Sequence, residues 1–428
     1  MHKKLLAKLL VLALLTVLSL GAVAPMVLAE EPVTLTYWFP HGGAVDRGSL
    51  EKSIEQFNAA NPDIVVVGEF IGGSGTGVGL TDKLTVAING GTPPDVVLFD
   101  RFQVGQWAGE GLFTDLTDYM EASGITADLF FPFAWEEASL NGRQYALPFD
   151  TDNRMLFYNK THFAAAGLDP DSPPLTIAEL EEYAEKLTIA DGPRVMQYGF
   201  VPWYSQGWLY TWGWAFGGLF QDDDGKITAS DPKIIEALQW EVDFAQKYGY
   251  ENMESFTTAA GGDNLNPFSA GLLSMFVSGP WEIAGLKANA PDIDFEVSYI
   301  PTPTGDNFNS WAGGWSHIIP TGVTHVEEAM RFAAFMSVGE GAFNYGEDTA
   351  HFMCAVELND TFSWVKEEPR FEKFIEVFPA SFCRPVISKG MLLWDELANA
   401  VNLALAGEGN PADLLEKVDA KVNAELGL

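Results

Sequence analysis

The sequence predicts an α/β fold built as two lobes, the first of them doubly wound. Three observations lead there. Strand and helix patterns alternate from Thr34 to Phe99 in the order strand, helix, strand, helix, strand, the signature of a sheet covered by helices. The third strand, Asp95 to Phe99 (DVVLF), is a short continuous apolar run, as a parallel strand buried on both faces requires. About 400 residues follow a removable leader, too many for one core and suited to two sizeable lobes.

The leader comes first. Lys3, Lys4 and Lys8 precede an apolar block from Leu9 to Val23, and Val27-Leu28-Ala29 supplies a small-residue cleavage site before Glu30. Residues 1–29 therefore read as a secretory signal peptide cut after Ala29. No later apolar run approaches the ~20 residues of a membrane span, so the mature chain is expected to be exported and soluble, in a periplasm or at the extracellular cell surface. The formal charge of −35 becomes more negative once the leader lysines leave, which excludes nucleic acid as a partner. Cys354 and Cys383 are the only thiols. In an oxidising compartment they could pair or remain free and buried, and two cysteines cannot make a zinc site. No metal or cofactor is expected.

Thr34 to Phe39 (TLTYWF) alternates and is rich in β formers, and Pro40-His41-Gly42-Gly43 turns out of it. The next helix puts Leu50, Ile54 and Phe57 on one face and stops at Asn61-Pro62. Ile64 to Ile71 is the second strand. GGSGTGVG, from Gly72 to Gly79, stands before a helix from Thr81, where a phosphate-binding loop would sit. No Gly-Lys-Ser/Thr closes it and its spacing is not G-x-G-x-x-G, so it reads as a flexible loop. Asp100-Arg101-Phe102 ends the third strand at the carboxyl edge, where open α/β sheets bind ligands.

Tyr145 to Lys160 (YALPFDTDNRMLFYNK) is polar in its middle, with Asp150, Asp152 and Arg154 at every second residue. On an extended chain they share a face, and two carboxylates with a guanidinium can both accept from and donate to hydroxyls. Thr176-Ile-Ala-Glu179 is a capping box for a helix to about Leu187. Asp222-Asp223-Asp224-Gly225 reads as a plain turn, because no glutamate follows at calcium-loop spacing. Asp231-Pro232 opens a long helix with Ile235, Leu238, Val242 and Ala245 on one side and Gly249 closing it. Ser278-Gly279-Pro280-Trp281 follows the strand-like run Leu272 to Val277, and Phe295 to Ile300 is another strand. Pro301 to Gly305 reads as a linker, and Ala312-Gly313-Gly314-Trp315 precedes the strand His317 to Ile319. Thr324 with Glu327 makes a second capping box before a helix Ala329 to Val338, and the remainder is mostly helical, including Met391 to Ala406 with Trp394 on its first turn.

Trp203 to Phe216 holds seven aromatics in fourteen residues (Trp203, Tyr204, Trp208, Tyr210, Trp212, Trp214, Phe216) and ends in Gly217-Gly218. Both a strand alternation and an i, i+4, i+8 helical repeat fit. Ser205 as a cap and Gly217 in a left-handed position favour the helix. This density exceeds what one element hides in a core. Part of it is expected to face a ligand with apolar faces and hydroxyls, of which sugars are the commonest class, and part to fill an aromatic core.

With these pieces in place the chain resembles the extracellular solute-binding proteins of ABC importers, in the carbohydrate-type family that includes maltose-binding protein. The resemblance rests on LTYWF; TPPDVVLFDRF from Thr92 to Phe102 followed by Gly111-Leu112; ALPFDTDNRMLFYNK followed by Ala166-Gly167-Leu168; Ala215-Phe-Gly-Gly218; SGPW at 278 to 281; and AGGWSHIIP at 312 to 320. It implies a periplasmic binding protein-like fold, two doubly wound α/β lobes joined by a hinge with the ligand cleft between them. The lobes would be residues 30–148 plus about 308–357, and 149–307 plus about 358–428. It further implies a monomer that captures a sugar and delivers it to permease subunits in the membrane; the abundance of aromatics points to an oligosaccharide rather than a monosaccharide. Carried over residue by residue, the ligand-binding set would be Trp38 and His41 at the end of the first strand; Asp100 and Arg101; Asp150 and Asp152; Trp208 and Trp212; Gly314 and Trp315; and the stacking Trp281 and Trp394. Gly42-Gly43 stand where maltose-binding protein has an acidic-basic pair, so that protein's sugar preference does not transfer. Alternatives are an anionic cargo such as a glycerol phosphodiester or phosphate ester, held by Arg101, Arg154 or Arg384; a secreted glycoside hydrolase; and an adhesin. The hydrolase needs two carboxylates flanking a bond, which Asp150 and Asp152 on one strand face cannot do.

Overall fold

The computed structural model describes residues 31–72, 78–192, 194–260 and 266–428. The leader and most of the glycine-rich run lie outside them. A five-stranded sheet has the spatial order Ile64–Phe70, Val33–Phe39, Val96–Asp100, Trp315–Ile318, Ala146–Pro148. Its first three strands are parallel, with Val33 opposite Ile64 and Tyr37 opposite Val96. Trp315–Ile318 runs antiparallel to both of its neighbours and sets Trp315 opposite Asp100. Alternation along the first strand sends Leu35, Tyr37 and Phe39 into the core that holds Leu50, Ile54 and Phe57, and Trp38 to the other face with Leu80, Leu84, Val97 and Phe99. Helices Ala44–Ala60 and Val78–Asn89 supply those two coverings.

A second sheet has the order Met275–Ser278, Met155–Asn159, Phe295–Ser298, all antiparallel, with every residue of the central strand buried. Helices Leu209–Ala215, Pro232–Tyr248, Gly390–Leu405 and Pro411–Leu426 pack on one another beside it. Between the sheets the chain forms a waist of short pairings. Asp150–Thr151 pairs with Phe352–Met353, Asp152 bridges to Gly313, and Ser310–Trp311 runs parallel to Ser381–Phe382.

Local signals fare according to how local they are. The capping box at Thr176 and Glu179 forms with both hydrogen bonds, and Asp231 caps the helix that Gly249 ends. Asp222 accepts the backbone N–H of Asp224 and Lys226 in a tight turn, with Gly225 at φ +81°. Thr324 does not cap: the helix is Val326–Val338 with His325 at its N-cap and no side-chain cap bond. In the aromatic stretch only Leu209–Ala215 is helical, and Trp208 rather than Ser205 stands at its N-cap. Ser205 sits instead at φ +57° and bridges to Val277, which ties this segment to the second sheet. Gly217 does take the left-handed position, φ +91°. Pro301 to Gly305 is a turn pinned to the rest, since Thr302 accepts from Ile177 N–H and donates its own N–H to Leu175. Both cysteines are unbonded, with Cys354 buried at the waist.

Candidate functional site

The carboxyl edge of the first sheet, the waist and the aromatic segment enclose a cavity of 530 Å³. Asp100 and Phe102 reach it from the third strand, Asp152 and Arg154 from the waist, Gln206 and Trp208 from the aromatic segment, and Trp311, Gly313, Gly314 and Trp315 from the returning chain. Arg384, Met391, Trp394 and Asp395 line it on the side of the last helices.

Two guanidiniums organise this cavity. Arg154 is paired with Asp152, donates to Gln206 Oε1 from Nε and Nη2 at 3.2 Å each, and lies 4.0 Å above the Trp311 ring and 5.6 Å from that of Trp281. Arg384 lies 4.0 Å above Phe102 and 5.2 Å from Trp311, with Nη2 3.4 Å from Glu137 and 3.8 Å from Asp100. Stacking leaves the guanidinium edge free for polar partners while its face is covered. Asp100 and Asp152 are also fixed by backbone: Asp100 accepts Phe102 N–H at 3.1 Å and Asp152 accepts Gly313 N–H at 3.1 Å. Each guanidinium thus faces a carboxylate across the floor. Two buried donors there, Arg384 Nε and Trp311 Nε1, have no hydrogen-bond partner among the described residues.

The aromatic faces stand beside this floor. Trp208 is 39% exposed and Trp394 half-buried, with ring centroids 4.4 Å apart and planes inclined at 45°. Trp281 is 40% exposed and lies flat on its own turn: a Cβ at Gly279 would stand 2.1 Å from Trp281 Cζ3. The SGPW sequence therefore needs its glycine in order to seat the indole. Gly314, at φ +131°, has the same kind of necessity, since a Cβ would meet the Asp150 carbonyl at 2.3 Å.

Of the residues singled out in the sequence, Asp100, Asp152, Trp208, Gly314, Trp315 and Trp394 line the cavity, and Trp281 adjoins it through Arg154. The others serve elsewhere. Arg101 is corrected from a sugar contact to a structural one. It is 0% exposed, with Nε on Glu137 at 3.0 Å and Nη1 on the carbonyls of Asp150 and Trp315 at 2.8 and 3.2 Å. Nη2 donates to the Gly313 carbonyl, and Nη1 also approaches Cys354 Sγ at 3.2 Å. One guanidinium thereby ties three passages of the waist together. Asp150, unlike Asp152 and Arg154, does not reach the cavity: it is buried and its Oδ1 accepts Trp315 N–H at 2.7 Å. Burial pushes the Asp150 carboxyl up to about 6. Trp212 is fully buried and donates to Pro202 O, so it belongs to the core, as do Tyr210, Trp214 and Phe216. Trp38 is covered by Lys83, 4.3 Å above its ring. His41 sits between Trp315 and Tyr345, its ring 4.8 Å from Trp315 and edge-on. Burial lowers it to about 3, so it supports Trp315 as a neutral ring.

Phe102, Gln206, Trp311 and Asp395 also line the cavity without a place in the expected ligand-binding set, as do Arg154, expected to bind hydroxyls or an anion, and Arg384, expected only for an anion. The spacing Trp311-Ala-Gly-Gly-Trp315 was the available signal for Trp311. Nothing in the local sequence marks Gln206.

Comparison with known proteins bears on the family and the fold. The profile of the family described as bacterial extracellular solute-binding protein matches residues 43–340. A maltotriose-binding protein of Pyrococcus abyssi is 29% identical over 360 residues, covering 81% of this chain and 72% of its own. A maltooligosaccharide ABC transporter solute-binding lipoprotein of Streptococcus pneumoniae is 23% identical over 349 residues, covering 78% and 77%. Among solved structures, CpMnBP1 with mannotriose bound superposes with a TM-score of 0.78 at 28% identity, covering 91% of this chain and 99% of that one. With a family profile spanning residues 43–340 of the chain and a two-sheet fold enclosing a cleft, the protein belongs to the bacterial extracellular solute-binding proteins.

Proposed function

We propose that this protein is the cargo-binding component of an ABC importer, that it captures a neutral oligosaccharide in the cavity between its sheets, and that it hands the closed complex to a membrane permease. One observation carries the reading: the cavity joins tryptophan faces to a floor of mutually paired carboxylates and guanidiniums. Sugar rings present C–H faces to indoles and hydroxyls to such pairs. An indole covering a sugar face removes roughly 50 Å² of apolar area from water, about 1 kcal/mol. Trp208, Trp281 and Trp394 together give about millimolar binding, and hydrogen bonds to Asp100, Asp152, Arg154 and Arg384 supply the rest of a micromolar affinity. The matched charges speak against a phosphate ester, because Arg154 and Arg384 each already face a carboxylate.

The named lipoprotein relative and those known with bound sugars support the transport role and an exported location. The binding role of the family supports a chain that passes its cargo on unaltered. The lobes meet at the waist, residues 30–148 plus about 308–357 on one side and 149–307 plus about 358–428 on the other, and cargo selects the form in which they are closed. A thermal-shift screen of the mature protein against maltotriose, mannotriose, glycerol phosphodiesters and amino acids tests the reading. An oligosaccharide at 100 times its Kd adds about 2.7 kcal/mol and a clear rise in midpoint. A rise only with phosphodiesters overturns the sugar assignment.

A further inference from the structure

A second cavity, of 290 Å³, adjoins the first. The two share Trp208 and Trp394, each of which lines both. On its far side helix Gly390–Leu405 presents Leu397, Ala398, Val401 and Leu405, one apolar stripe at helical spacing. Helix Tyr250–Ala260 contributes Glu254 and Thr257 at the rim, where Thr257 donates to the Glu254 carbonyl.

This wall differs in kind from the floor of the main cavity. A sugar ring carries hydroxyls around its whole edge, and each one buried without a partner is penalised. The aliphatic stripe has no donor or acceptor to give them, and the polar side chains of the lining, Ser205, Glu254, Thr257 and Asn402, are fewer than its apolar ones. The space is nevertheless large for such a pocket, since an apolar cavity of about 150 Å³ already takes benzene. On the opposite wall Trp203 Nε1 and Tyr210 Oη are buried without a partner among the described residues.

We propose that this side pocket receives an apolar, ring-sized aglycone carried on the sugar, so that the natural cargo is a glycoside bearing an aromatic group rather than a bare oligosaccharide. The proposal rests on the sugar reading of the main cavity. The sugar occupies the polar floor, the glycosidic link crosses the edge of the contacting Trp208–Trp394 pair, and the ring lies against Leu397, Ala398 and Val401.

The test is calorimetric titration of the mature protein with maltotriose and mannotriose, each as the methyl and the 4-nitrophenyl glycoside, together with the corresponding tetrasaccharides. Burial of roughly 60 Å² of ring at about 25 cal/mol per Å² makes the 4-nitrophenyl glycoside about tenfold tighter than the methyl glycoside. Ala398→Phe and, independently, Val401→Phe fill the pocket. They are expected to abolish that gain and to leave the methyl glycoside unchanged, which also shows that each variant is folded. Methyl glycoside binding with no gain from the aryl group overturns this inference and leaves the sugar reading standing. So does a gain that survives both filled variants, or an equal gain from a fourth sugar unit, which would make the pocket a sugar site. Failure of every glycoside to bind overturns the sugar reading and this inference with it.

Discussion

Arg101→Met tests the division of labour between waist and cavity. In the folded chain the guanidinium meets Glu137 at 3.0 Å and the carbonyls of Asp150 and Trp315 at 2.8 and 3.2 Å, with no exposed surface. Its removal leaves Glu137 buried with Arg384 at 3.4 Å as its remaining ion pair, and takes one donor each from the carbonyls of Asp150 and Trp315. Breaking a buried pair in this way costs about 3–5 kcal/mol, a large share of the roughly 5–15 kcal/mol that holds most domains folded. Urea unfolding followed by tryptophan fluorescence should show the midpoint falling by roughly 1 M or more, taking an m-value of about 3 kcal/mol/M. Asp100→Asn, at the cavity wall, should instead weaken sugar binding with little change in midpoint. An Arg101→Met protein with an unchanged midpoint and lost cargo binding would refute the reasoning and return Arg101 to the ligand.

Three further outcomes follow from single contacts. Gly279→Ala places a Cβ 2.1 Å from the Trp281 ring and should swing that exposed indole away, weakening sugar binding by roughly tenfold in calorimetry while stability changes by about 1 kcal/mol or less. Asp150 titrates at about 6 when folded against an ordinary 3.8; its neutral form is favoured by folding, so its contribution is full below the ordinary value and is lost as pH rises through about 6. Asp150→Asn, which keeps the acceptor for Trp315 N–H, should flatten the fall in melting temperature across that window; an undiminished slope would count against it. Glu241 is fully buried with both oxygens unpartnered among the described residues, and burial raises its carboxyl well above the ordinary value. Glu241→Gln should therefore leave stability near pH 4 unchanged and raise the melting temperature at pH 7.5, and a lowered melting temperature at pH 7.5 would show that the carboxylate has a partner.

The α/β order, the Thr176 capping box and the turn at Asp222 were legible because each depends on a few consecutive residues. The aromatic stretch was legible as surface to be covered but not as to which ring covers what. Trp208 faces the cavity and Trp212 the core because Ser205 leaves the helix and bridges to Val277, a contact across 72 positions. Arg101 was misread for a related reason. Its position at a strand's carboxyl edge is a binding position in general, and only the return of the chain at Gly313 and Cys354 seals it. Thr324 shows the converse, a capping pattern whose geometry the chain does not adopt.

The central claim is that a neutral oligosaccharide binds on the tryptophans and paired charges of the cavity. Calorimetric titration of the mature protein with maltotriose and mannotriose, at low and at high salt and repeated on Trp394→Ala, tests it most directly. The account predicts about micromolar binding of at least one of them, little affected by salt and weakened roughly tenfold by the loss of the indole. Binding of neither sugar, with capture of a glycerol phosphodiester that weakens steeply as salt is added, would contradict it.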